Sequence, residues 1–238
     1  MDEQPHVLLA ELTRVLARTE PHGPISLRLC LAFSKMLAAD GASITVGIAS
    51  PERIVLCATD GPAAGVEDAQ EILREGPSLD AYRTGRAVSG LSVAEQRVRW
   101  PMLAELLDSR GPQLSLHAFP VRPVEDVLGV VCVYQTVEHG LAVTSDEAQF
   151  LANALGVALL GDLDAHSLTD DRWAVRDRLD QATGMVVAQL KIRPEDATAV
   201  LRAHAFAHAT TLATVSDWVL DRVLDFSDTD SSDGISHD

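Results

Sequence analysis

His204 and His208 stand four residues apart, the spacing at which one helix face can offer two imidazoles to a single metal ion. No third ligand accompanies them, so the pair reads as packing and solvent-facing histidines, not a metal site. Cys30, Cys57 and Cys132 are odd in number, far apart and without a CxxC spacing, which fits neither a zinc nor a disulfide framework. They read as buried structural thiols of a chain kept in a reducing cytoplasm. A Ser/His/Asp set, a metal cluster or a cysteine placed in a loop would argue for an enzyme. The sequence offers none of these, and the expectation is a non-enzymatic protein without a cofactor.

The elements that must position any site follow from composition and periodicity. The chain has 238 residues, 47% of them hydrophobic, and a formal net charge of −16. That is enough apolar material for one large or two small domains. The acidity works against non-specific binding of nucleic acid, which Lys and Arg drive. The first residues are acidic, and charges break their apolar runs, unlike a secretory leader. No apolar run approaches the roughly 18–20 residues of a membrane helix.

Apolar residues at helical spacing predict helices over 5–19 and 25–40, with Gly41 stopping the second. Two β-branched runs, 44–49 and 54–59, flank Ser50-Pro51-Glu52-Arg53 and predict a hairpin. A helix is expected over 64–75, a loop over 76–86 (GPSLDAYRTGR), and a short helix over 101–109. Strands are expected over 114–121 and 127–135. The second of these is almost wholly apolar and so central and buried on both faces. A helix starting near Ser145, capped there, carries Phe150, Leu151, Leu155 and Leu159. Antiparallel strands with helices at both ends predict an α+β domain.

Over residues 22–162 this order resembles a GAF domain. The residues that carry the likeness are GPSLDAYRTGR, Arg99-Trp100-Pro101, Ala118-Phe119-Pro120-Val121 and LGVVCVY at 128–134. The resemblance implies a sensory module that takes a small ligand between the sheet and the long loops, or serves as a dimerisation unit. Tyr82, Arg83, Arg99, Trp100 and His117 are then candidates for a pocket whose ligand is unknown. The alternative is a pocket filled by the protein's own side chains. The Asn-Lys…Phe…Asp-Glu pattern of cyclic-nucleotide members is missing. The thiols fall in predicted strands and a helix, not in the pocket loops that methionine-sulfoxide-reducing members use.

Residues 163–171 predict a helical junction, with Ser167 to Asp170 as a cap for the next helix. Val175, Leu179, Ala182, Val186 and Gln189 then step by four and three. This heptad spacing suits either a parallel dimer seam or the ordinary buried face of a bundle. Arg193-Pro194-Glu195-Asp196 predicts a helix start. A third helix begins near Thr211 or Thr214, with Thr214 and Asp217 as a capping box. Residues 227–238 are acidic and rich in small residues, and read as a disordered tail.

Residues 172–224 resemble an ANTAR module, a three-helix unit of bacterial antitermination regulators. Gln181-Ala182, Gly184-Met185, Glu195, Ala197, Leu201-Arg202, Ala205, Leu212 and Val215 carry the likeness. The expected organisation is an N-terminal helix (1–21), a GAF-like domain (22–162), the junction (163–171), an ANTAR-like domain (172–226) and the tail. The resemblance implies a GAF–ANTAR transcription antitermination regulator that binds RNA hairpin loops, whose unstacked bases are readable. On side-chain chemistry the candidate RNA contacts are Arg176, Arg178, Gln181, Thr183, Lys191 and Arg202; Arg both stacks on bases and forks onto phosphates. Ala182 and Gly184 would allow close approach of a backbone, of either RNA or another helix. The bland reading of each Arg is a solvated surface charge.

Where family members carry an Asn and basic residues, this chain has Ala209, Thr210 and Thr211. Nine acids against seven bases between residues 170 and 225 make a poor phosphate footprint. The partners the resemblance implies are RNA hairpin loops and a second copy of the chain, with no membrane. The alternative is a signalling regulator that docks a protein and has weak or lost RNA affinity.

Overall fold

Two antiparallel strand pairs build the sheet of this protein. In the computed structural model the described residues are 3–19, 23–47, 54–136, 140–165, 170–208 and 210–227, with the side chains at 3–4, 161–165 and 170–176 outside the described set. Strands β1 (Gly41–Val46), β2 (Ile54–Ala58), β3 (Ser115–Val121) and β4 (Gly129–Gln135) pair antiparallel in the order β2-β1-β4-β3. The fold is α+β, as the alternation of patterns predicts. The chain divides into two compact units, Met1–Ser167 and Leu168–Asp238.

In the first unit, strand alternation sends side chains to two apolar layers. Ile44, Val46, Phe119, Val121, Val131 and Val133 pack with α1 (Glu3–Ala17), α2 (Ile25–Met36) and α7 (Ser145–Ala165). Phe33 and Phe119 meet edge-to-face there, with centroids 6.0 Å apart. Leu116, Ala118, Val130, Cys132 and Tyr134 pack on the other face with α3 (Gly61–Leu73), α4 (Pro77–Thr84) and α6 (Pro101–Arg110). β4 is thus central and buried on both faces, as its apolar run predicts. Gly129 is needed where β1 and β4 close: a Cβ there would stand 2.1 Å from the Thr45 carbonyl oxygen.

Several expectations are corrected. The segment 76–86 is not a loop but contains α4. Pro77 sits at its first turn and Gly85 ends it in the left-handed region, so the Gly and Pro bracket a helix instead of breaking one. A helix not expected, α5 (Val93–Arg99), has a capping box between Ser92 and Glu95. α2 ends at Met36, because Ala38 turns left-handed (φ 53°), and Gly41 opens β1 instead of stopping the helix. The cap of α7 is Thr144, whose hydroxyl accepts from Glu147 N–H while the Glu147 carboxylate accepts from Thr144 N–H. The hairpin turn 50–53, the junction cap at 167–169 and the tail beyond 227 lie outside the described residues.

The second unit is three helices: α8 (Asp170–Leu190), α9 (Pro194–Ala207) and α10 (Leu212–Leu220). Ala182, Val186, Ala197, Leu201, Ala205, Val215 and Val219 are fully buried and form its core. Thr211, not Thr214, caps α10 by accepting from Thr214 N–H at 3.0 Å. Among the described residues no helix is long and apolar enough to cross a membrane.

Candidate functional site

The pocket candidates of the first unit do not converge. Arg99 and Trp100 share Asp80: its Oδ2 accepts from Arg99 Nη2 at 2.8 Å and from Trp100 Nε1 at 3.1 Å. The guanidinium also lies 5.1 Å from the centroid of the buried indole. This ties α4 to the α5–α6 corner. Tyr82 donates its hydroxyl to the Gly47 carbonyl at 3.0 Å, and Arg83 is exposed. His117 is separated from this set by the sheet. Its β3 neighbours Leu116 and Ala118 face α3–α6, whereas His117 shares the parity of Phe119 and Val121 and faces the α1–α2–α7 side. Its ring contacts Ser89 Oγ at 3.2 Å and Ser115 Oγ at 3.3 Å.

Between the sheet and α3–α4 lies a cluster of the protein's own polar groups. Glu67 on α3 is the hub of a buried polar cluster that sequence reasoning missed. Its Oε1 accepts from Ser43 Oγ and Ser78 Oγ, both at 2.9 Å, and from Gln70 Nε2 at 3.3 Å. These residues lie on β1, α3 and α4, 35 residues apart at the extremes, and no local pattern joins them. A cavity of about 30 Å³ between α5, α6 and β3, lined by Gln96, Trp100 and Leu103, has room for little more than a water molecule. An open groove of about 870 Å³ runs along Tyr82, Pro123, Val127, Leu128 and Leu160, with Glu125 and Asp126 also lining it.

One carboxyl in this layer is strongly perturbed. Burial raises Asp68 to about 6; Arg110 opposes the shift, while Glu67 and Glu71 add to it. Hydrogen bonding to Cys57 and burial push the Cys30 thiol well above its ordinary range, so it is no nucleophile at neutral pH.

The edge of β3 is closed by devices that bear on access. The Gln96 side-chain amide accepts from Leu116 N–H at 3.0 Å and donates to Leu116 C=O at 3.2 Å. Val88 exchanges both backbone bonds with Ala118 at 2.8 Å. Pro120 has no N–H, and its carbonyl accepts from Gln149 Nε2 at 2.7 Å. The strand offers no row of open groups to a partner.

In the second unit the heptad stripe turns inward. Ala182 and Val186 are fully buried in this bundle's own core, Leu179 is half-buried, Gln189 accepts from Phe226 N–H at 3.3 Å, and the Val175 side chain lies outside the described set. The small side chain of Ala182 therefore serves helix packing, not approach of an outside backbone. Gly184 is different: a Cβ there would meet nothing within 4 Å.

The nucleic-acid candidates also separate. Gln181 is exposed on α8 and Thr183 half-buried. Two positions apart on a helix, they point about 160° apart and cannot share one contact surface. Arg178 is exposed and its Nε and Nη2 both lie 2.6 Å from Asp217 Oδ1 on α10. Lys191 is exposed in the left-handed region (φ 55°), at the turn after α8. Arg202 is half-buried on α9, and the Arg176 side chain lies outside the described residues. Asp177 and Asp180 are exposed beside Gln181 and Gly184. The two histidine rings lie 4.7 Å apart between centroids, tilted by 40°, with Phe226 5.3 Å from His204 and Trp218 6.0 Å from His208. Burial first, then His208, lowers the His204 pKa. Among the described residues no group of three or more His, Cys, Asp or Glu is placed to hold a metal.

Comparison with known proteins adds little to this geometry. No family model matches the chain, and no curated protein does. Among solved structures, SdiA in complex with octanoyl-rac-glycerol aligns over 90% of this chain and 93% of that one, at 14% identity and a TM-score of 0.47. A likeness this low in both measures supports no functional argument.

Proposed function

We propose that the chain is a sensor-regulated RNA-binding regulator of transcription antitermination. In this reading the first unit is GAF-like and gates the second, which is ANTAR-like and binds RNA hairpin loops; the protein works in the cytoplasm as a homodimer. The observation that carries the reading is the solvent face of α8, where Gln181 and Gly184 stand open in the segment that resembles the ANTAR first helix. A neutral amide beside a residue without a side chain suits contact with an unstacked base better than with a duplex groove. Support for a sensory role of the first unit is slimmer: the groove beside Tyr82 has the room that the interval between sheet and helices lacks.

A second reading, a regulator that docks a protein, is favoured by two observations. Asp177 and Asp180 flank Gln181, and carboxylates hold Arg178 and Arg193. Phe206 and Val223 are also exposed on the second unit. Titrating the full chain into a labelled RNA stem-loop at increasing salt separates the readings. The antitermination reading expects binding that weakens with salt. Absence of binding at low salt, together with capture of a protein by the same chain, would leave the second reading standing. Sedimentation of the chain tests the dimer.

A further inference from the structure

We infer that Asp217 is a built-in competitor for phosphate: it holds Arg178 on the surface of the second unit and so sets how tightly that unit engages the backbone of a single-stranded RNA loop. The inference rests on the RNA reading above and names its regulation. Arg178 on α8 and Asp217 on α10 are 39 residues apart in sequence, and both guanidinium nitrogens, Nε and Nη2, converge on one carboxylate oxygen at 2.6 Å.

A guanidinium that offers two donors to an oxyanion binds phosphate in the same way. Here the carboxylate occupies the place a phosphate oxygen would take. The two side chains are 46% and 47% exposed, so the pair lies open to solvent and to a competing anion. A pair this exposed is weakly held and exchangeable. Gln181 lies three positions beyond Arg178 and so close to it on the helix surface. A nucleotide whose base meets Gln181 therefore brings its phosphate within reach of Arg178, and Asp217 must first give way. Asp217 also places a negative charge next to the incoming phosphate, so it opposes binding twice.

The test compares the full-length wild type, Asp217→Asn, Arg178→Gln and the double variant, each titrated into a fluorescent RNA stem-loop with an unpaired loop over a range of salt. Thermal melting of each variant confirms the fold. Asp217→Asn should bind about fivefold tighter at low salt, with a log–log salt slope steeper by about 0.7, one more phosphate neutralised on a single strand. Arg178→Gln should weaken binding, and adding Asp217→Asn to it should bring no gain. Wild-type affinity in Asp217→Asn overturns the inference and leaves the RNA reading intact, as does an equal gain in the Arg178→Gln background. Failure of all four proteins to bind removes the RNA reading and the inference with it.

Discussion

Replacing Asp68 with Asn should stabilise the first unit at neutral pH and do nothing at acid pH. Asp68 sits half-buried on α3 between Glu67 and Glu71, and burial lifts its pKa from 3.8 to about 6. A carboxyl whose folded pKa is raised binds its proton more tightly in the folded state. Its favourable contribution is complete below the unfolded value and is lost as pH rises through 6. Above that pH the ionised group is a burden. A rise of this size corresponds to about 3 kcal/mol, and partial exposure reduces the expected effect to roughly 1–3 kcal/mol. Urea unfolding at pH 7.5 and pH 4, followed through Trp100 after Trp173 and Trp218 are replaced by Phe, reads this unit alone. Asp68→Asn should raise the midpoint at pH 7.5, and the gain should vanish at pH 4. An equal gain at both pH values would refute the burial argument, and so would a loss at pH 7.5, which would make the attraction of Arg110 dominant.

Phe119→Ala removes the ring packed on Phe33 in a fully buried layer and should cost about 3–5 kcal/mol in the same unfolding assay. Gln96→Ala leaves Leu116 N–H and C=O unpaired at the sheet edge and should cost about 1–3 kcal/mol. Hydrogen exchange at Leu116 should speed up more than at Phe119. In the second unit, the lowered pKa of His204 means that its contribution is present above the unfolded value and lost as pH falls through the folded one. The bundle's melting temperature should therefore drop as pH falls from 7 to 5, and His204→Phe should flatten that profile.

The strands are legible in the sequence because short β-branched and apolar runs stand between turn residues, and the all-apolar 128–134 run announces a strand with two buried faces. The helices α4 and α5 escape a reading by apolar periodicity because their signals are punctuation. Gly76-Pro77 and Gly85 bracket α4, and Ser92 with Glu95 is a capping box in plain sight before α5. What no local pattern can give is long-range. Glu67 gathers Ser43 and Ser78 from elements that only the fold brings together. The GAF resemblance groups His117 with Trp100, but strand parity places its ring on the opposite side of the sheet. Heptad spacing in α8 identifies a buried face and leaves open what buries it. For Ala182 and Val186 the answer is α9 and α10.

Charge sets the terms on which the second unit can act. Arg178 faces Asp217, and Arg193 faces Glu195 and Asp196, while Lys191 and Arg222 are exposed. Any phosphate that approaches the first two must displace a carboxylate, so the gain in counterion release is offset by an anion set free beside the ligand. About three phosphate contacts on a single strand predict a log–log salt slope near −2, at about −0.7 for each contact. Affinity in such a module has to come from bases, through stacking and neutral hydrogen bonds of the Gln181 kind, which salt leaves largely untouched. Changing the loop sequence should therefore alter binding more than doubling the salt does. A slope much steeper than −2 with no preference among loop sequences would mean that phosphates, not bases, are being read, and that Gln181 has no part in recognition.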